Sequence, residues 1–150
     1  MSPPPVLIAL FLGLAAPAAA DVLSLEGSWR GEGTMISDNI AEQRTRCRMT
    51  AAPTGADGWQ GQVRCATPQG AVEMALTLIR GVDGAVSGQG TMDAEDVVTG
   101  PLAGRILANG LWLESEEDAR IELIETEDGL VLQAWENAGE NTVFQVLFPM

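Results

Sequence analysis

The stretch CRMTAAPTGADGWQGQVRC, residues 47–65, begins and ends on the only two cysteines of the chain. Its centre, Pro53 to Gly58, is a run of turn-forming residues. On the way in, the residue types alternate. Thr45, Cys47, Met49 and Ala51 fall on one face, and Arg44, Arg46 and Arg48 on the other, which is the period of a strand. A hairpin of 42–51 with 59–67, centred on Ala56, pairs residues whose numbers total 112, so Cys47 faces Cys65. The same register puts Trp59 and Val63 on the cysteine face and Arg64 on the arginine face. A one-residue slip would reverse every side chain, so the sulfurs and the apolar pattern specify one pairing. Directly opposed residues have Cα atoms about 4.5–5.5 Å apart, within disulfide reach. Such a bond persists in an oxidising compartment.

The chain start points to the same compartment. MSPPPVLIALFLGLAAPAAA, residues 1–20, holds a short apolar run from Val6 to Ala16, then Ala18-Ala19-Ala20 before Asp21. This reads as a secretory signal cleaved after Ala20, although no Lys or Arg precedes the run. The competing reading is an uncleaved anchor. The remainder, residues 21–150, is about 130 residues, enough for one domain with its own core. No later apolar run approaches membrane-spanning length, so no membrane insertion is expected after cleavage.

Strand patterning continues outward from the hairpin. Runs at 28–36, 71–80, 85–92, 101–108, 111–116, 119–125, 130–136 and 142–150 alternate in period two between Gly, Asp, Asn and Pro punctuation. Asn109-Gly110 between apolar runs is a hairpin signal, and Asp-Gly recurs at 57–58, 83–84 and 128–129. The sequence therefore predicts an all-β domain, a single antiparallel up-and-down β-barrel of eight to ten strands. The expected core comprises the faces Val72/Met74/Leu76/Leu78, Leu130/Leu132/Ala134 and Phe144/Val146/Phe148, with Trp29, Trp59 and Ile106. One helical turn is expected at SDNIAEQR, residues 37–44.

Charge and missing residue types narrow the chemistry. The formal net charge is −13, with no His and no Tyr. All eight cations are Arg. Thirteen acids face two Arg from Asp93 onward, whereas eight face six between Asp21 and Met92. A surface this acidic repels nucleic acid, which is not an expected partner. Without His there is no Ser-His-Asp triad and no His-ligated metal or haem, and two cysteines cannot form a Cys₄ site. No catalytic residues, metal or cofactor are implied. The acidic groups Asp93/Glu95/Asp96 and Glu114/Glu116/Glu117/Asp118 lack the spacing of a calcium loop and read as solvated turns.

Two sets of residues could bind a small molecule. Arg44, Arg46, Arg48 and Arg64 share an outward face and suit an anion, or else they are neutralised by Glu42 or Glu73. Trp59, Met74 and Phe144 would line an interior cavity, if the barrel is hollow rather than filled. The tryptophans 29, 59, 112 and 135 read foremost as core. The oligomeric state is left open.

At Gly27-Ser28-Trp29 the chain resembles the lipocalins and their calycin-type relatives, which carry Gly-x-Trp at the first strand. The resemblance implies that Gly27 and Trp29 close one barrel end. It departs in having no Arg at 142–148 over that Trp. Related haem-binding barrels open in the same way as Gly27, Trp29, Gly31 and Gly33, but their C-terminal His ligand is missing. The order Gly27-Ser28-Trp29, Cys47, Trp59, Cys65 is also similar to small periplasmic metalloprotease inhibitors, whose N-terminal tail enters the protease. With Arg46-Cys47-Arg48 and the second pair Arg64-Cys65, the chain also looks like small exported bacterial proteins of unknown function. Taken together, an exported, periplasmic or secreted, non-enzymatic binding barrel is expected, for a small apolar or amphipathic ligand inside or an anionic one at the arginine face. Protease inhibition requires 21–26 to protrude, and a structural envelope role requires neither tail nor cavity.

Overall fold

The structure, a computed structural model, describes residues 21–37, 40–68, 70–93, 100–136 and 141–150. It contains ten strands: β1 (Gly27–Ser37), β2 (Ile40–Thr54), β3 (Gly58–Thr67), β4 (Gly70–Arg80), β5 (Ala85–Asp93), β6 (Gly100–Leu107), β7 (Gly110–Ser115), β8 (Arg120–Thr126), β9 (Gly129–Glu136) and β10 (Asn141–Pro149). Each pairs antiparallel with its neighbours in the chain, and β1 pairs with β10 to close the barrel. Pairing the first strand with the last removes the two free edges that an open sheet would present. No helix among the described residues is long and apolar enough to cross a membrane.

The cysteine hairpin has the expected register. Cys47 pairs with Cys65, Met49 with Val63 and Arg48 with Arg64. The disulfide is formed, with Cα atoms 4.1 Å apart. Pairing runs further toward the turn than the sequence suggests, to Thr54 opposite Gly58, leaving Gly55 to Asp57 as the connection. Gly55 supplies the left-handed φ of 73° that this short turn needs.

Alternation separates inside from outside with few exceptions. Trp59, Val63, Cys65, Met74, Leu76, Leu78, Leu113, Leu123, Leu132, Phe144, Val146 and Phe148 are buried inside. Trp29 and Ile106 are partly buried and pack against them. Thr45 is the buried polar residue of the core, and its hydroxyl lies 3.7 Å from the Cys47 sulfur. The interior is filled where glycine makes room. A methyl at Gly61 would land 2.5 Å from the Trp59 ring, and one at Gly31 would land 2.8 Å from the Phe148 ring. Close packing of large side chains over small ones is what excludes voids.

Two local expectations are corrected. The predicted helical turn at 37–44 is absent from its described residues. Ser37 ends β1, Ile40 begins β2 and the two pair directly, while Asp38 and Asn39 lie outside the described residues. A lone helical turn carries a nucleation cost that a continuing ladder avoids. The β6–β7 connection is Ala108-Asn109 rather than Asn109-Gly110, since Leu107 pairs with Gly110. Gly110 serves strand packing instead, because a methyl there would sit 2.9 Å from the Ile124 Cα.

The segment Asp21–Leu25 packs onto the barrel and does not protrude. Val22–Ser24 forms a 3-10 turn against β2 and β3, with Val22 and Leu23 buried. Asp21 caps it, accepting from the Leu23 N–H at 2.6 Å, and pairs with Arg80. The Trp59 indole N–H donates to the Leu25 carbonyl at 3.1 Å. This segment thus seals the barrel end beside Trp59.

Candidate functional site

Strand alternation on β1, β2 and β3 turns Arg30, Arg44, Arg46, Arg48 and Arg64 outward, all exposed. Register then assembles them. Arg30 pairs with Arg48, Arg48 with Arg64, and Arg64 with Glu73, in one row across β1, β2, β3 and β4. The row continues from Glu73 to Asp93 on β5. One step along the strands, Glu32 pairs with Arg46. Behind Arg46, Arg48 and Arg64, on the inner side of the same two strands, lies the disulfide. The covalent link therefore holds the register that sets Arg48 against Arg64.

Directly opposed like charges destabilise a sheet by a few tenths of a kcal/mol, up to about 1. Two of the arginines have partial relief. Arg46 lies 3.7 Å from Glu32 and Arg64 lies 3.5 Å from Glu73. These pairs are long and largely exposed, with side-chain accessibilities of 87%/77% and 70%/59%, so each contributes little. Arg30 and Arg48 face each other with no ion pair among the described residues.

The row lines an open depression of about 1380 Å³ on the barrel's outer surface. Its wall carries Arg30, Arg46, Arg48 and Arg64, with Leu147 and Pro149 of β10 on one flank. Arg44 lies outside it, in a smaller neighbouring hollow of about 560 Å³ that Arg46 shares. The structure thus brings together three of the four arginines singled out from sequence and adds Arg30. Sequence reasoning missed Arg30, although the signal was there. Trp29 is an inward residue of β1, so its neighbour Arg30 points outward beside β2.

Of the interior candidates, Trp59 and Phe144 are not among the residues lining this depression, whereas Met74 borders it together with Val63 and Cys47. Trp59, Met74 and Phe144 are 1%, 6% and 3% exposed. They are packed core side chains on three different strands, β3, β4 and β10. Gly27 and Trp29 meet at the start of β1, where a methyl on Gly27 would lie 3.6 Å from the Trp29 ring.

The expectation that all four tryptophans are core fails for two. Trp112 and Trp135 lie on the outward faces of β7 and β9, half-buried. Arg120 of β8 stands between them, its guanidinium carbon 5.1 Å from the centre of Trp112 and 5.9 Å from that of Trp135. Arg120 also reaches Glu122 at 3.1 Å. Cation–π contact stabilises these outward rings, and period-two alternation alone did not reveal the pairing. The Trp112 indole nitrogen and Arg120 Nε are buried there without hydrogen-bond partners.

Of the acidic groups, Glu95 and Asp96 lie outside the described residues. In the other group Glu114 lies on β7 opposite Arg120, and Glu116, Glu117 and Asp118 form the β7–β8 turn, where the Ser115 hydroxyl accepts from the Glu117 and Ala119 N–H groups and Asp118 is left-handed at φ 62°. Against protein-family models and curated proteins alike, this chain matches none.

Proposed function

We propose that this is an exported, lipocalin-like barrel, acting in a bacterial periplasm or outside the cell, that binds a small anionic ligand on its outer arginine face without catalysing a reaction. The observation that carries this reading is the row Arg30–Arg48–Arg64, placed side by side on a chain of net charge −13. Repulsion within the row is relieved when an anion lies across it. Guanidinium forks match carboxylate and phosphate oxygens in a bidentate manner. The disulfide and the stretch at 1–20 support export, since the bond suits an oxidising compartment.

The interior and inhibitor readings have less behind them. Trp59 fills the space above Gly61, and Phe148 fills the space beside Gly31. The segment 21–25 is docked by buried Val22 and Leu23, not presented to a protease. Calorimetric titration with inorganic pyrophosphate tests the proposal. Binding that weakens at least tenfold in Arg48→Glu, and weakens with added salt, is the expected outcome. Equal heats for the wild type and this variant would refute an arginine-face site.

A further inference from the structure

Resting on that reading, we infer that the ligand is a single-chain amphipathic anion, whose alkyl chain lies on a narrow apolar track leading into the arginine depression. Ile124 of β8 pairs with Val131 of β9, Val131 with Leu147 of β10, and Leu147 with Glu32 of β1, which pairs with Arg46. Ile124, Val131 and Leu147 are all on outward-facing positions and half-buried. Three directly opposed apolar residues therefore point out of the barrel in one row. With strands about 4.8 Å apart, the track runs roughly 10 Å before it meets Glu32, whose carboxylate lies 3.7 Å from Arg46.

The track is narrow. One step along the strands on one side, Glu122, Gln133 and Gln145 form a polar row. On the other side lie Gly129 and Pro149, which pair with each other. One alkyl chain fits that width, and a bilayer surface does not. A chain of net charge −13 is also repelled by anionic bilayers. At its inner end, Leu147 lines the depression together with Pro149, Arg30 and Arg48. A head group seated on Arg30 and Arg48 would place its first methylenes on Leu147 and Pro149. Removing alkyl surface from water adds affinity in proportion to the area buried, while the arginines select a negative head group.

The test compares methyl phosphate, dodecyl phosphate and dodecyl maltoside, each below its micelle-forming concentration, by NMR titration of the disulfide-bonded protein. Dodecyl phosphate is expected to bind at least tenfold more tightly than methyl phosphate and than the neutral maltoside. Methyl signals of Ile124 and Val131 should shift, and those of the interior Leu76 and Leu78 should not. Val131→Asn, an outward substitution on the track and outside the depression, should reduce the chain-length advantage and leave methyl phosphate binding intact. A series from butyl to dodecyl phosphate on the unmodified protein gives the same readout should that variant not fold. Equal affinity for methyl and dodecyl phosphate overturns the inference and leaves the anion site standing. No binding of either phosphate overturns both. Shifts confined to interior methyls overturn the track in favour of a lumenal site.

Discussion

Arginine points outward on both sides of this barrel, and its surroundings differ. On β7–β9, Arg120 is held between two indoles and a carboxylate. On β1–β3, Arg30 and Arg48 face each other with no ion pair among the described residues. The first arrangement uses the cation to cover outward aromatic surface. The second concentrates positive charge in the half of the chain where acids are fewest. A residue type therefore does not announce its job. The neighbours that register provides decide whether the charge is consumed internally or left available to a ligand.

Both arginine sites rest on the same filled interior, so the largest effect is expected there. Trp59→Ala removes the side chain that fills the space over Gly61 and supports the Leu25 carbonyl. It should lower unfolding free energy by about 3–5 kcal/mol in a urea melt, with any residual folded protein losing both arginine sites together. Replacing Cys47 and Cys65 by Ala should cost about 3 kcal/mol. This change should separate the two sites, since Arg46, Arg48 and Arg64 sit on the strands that the bond joins and Arg120 does not. Pyrophosphate affinity should fall while the emission of Trp112 and Trp135 changes little. Arg120→Ala should lower stability by about 1 kcal/mol through loss of the cation–π contacts and leave anion affinity unchanged. Arg48→Gln should have the smallest effect on stability, a few tenths of a kcal/mol in the stabilising direction, because it removes like-charge opposition. Its anion affinity should nonetheless drop. If Arg120→Ala weakened anion binding as much as Arg48→Gln, the contrast between the faces would collapse.

Much of the architecture was legible because two independent signals coincided in the 42–67 hairpin. Apolar alternation and cysteine spacing chose one register, and Cys47–Cys65 and Arg48–Arg64 followed from it. Strand identity elsewhere rested on alternation bounded by Gly and Asp, which located all ten strands to within a few residues. Features that depend on distant strands were not legible. The outward tryptophans needed Arg120 of β8 to be known as the neighbour of both β7 and β9. The docking of Val22 and Leu23 needed Trp59 and Arg80 to converge on one barrel end. Gly110 read as a turn residue in Asn109-Gly110, yet it makes room for a neighbouring strand, as Gly31 and Gly61 make room for a ring. The arginine face was half legible. β2 and β3 declared their arginines through the hairpin, whereas Arg30 joined only once β1 was laid beside β2.

The central claim is that ligand binding occurs outside the barrel, on an arginine row whose register is held by the disulfide inside it. Side-chain Nε–H NMR signals of the arginines, followed during titration with pyrophosphate, test this most directly. Shifts at Arg30, Arg48 and Arg64 that saturate together, with Arg120 unmoved and interior methyls silent, are predicted. Saturable shifts at Leu76 and Leu78 methyls with the three arginines unmoved would contradict it.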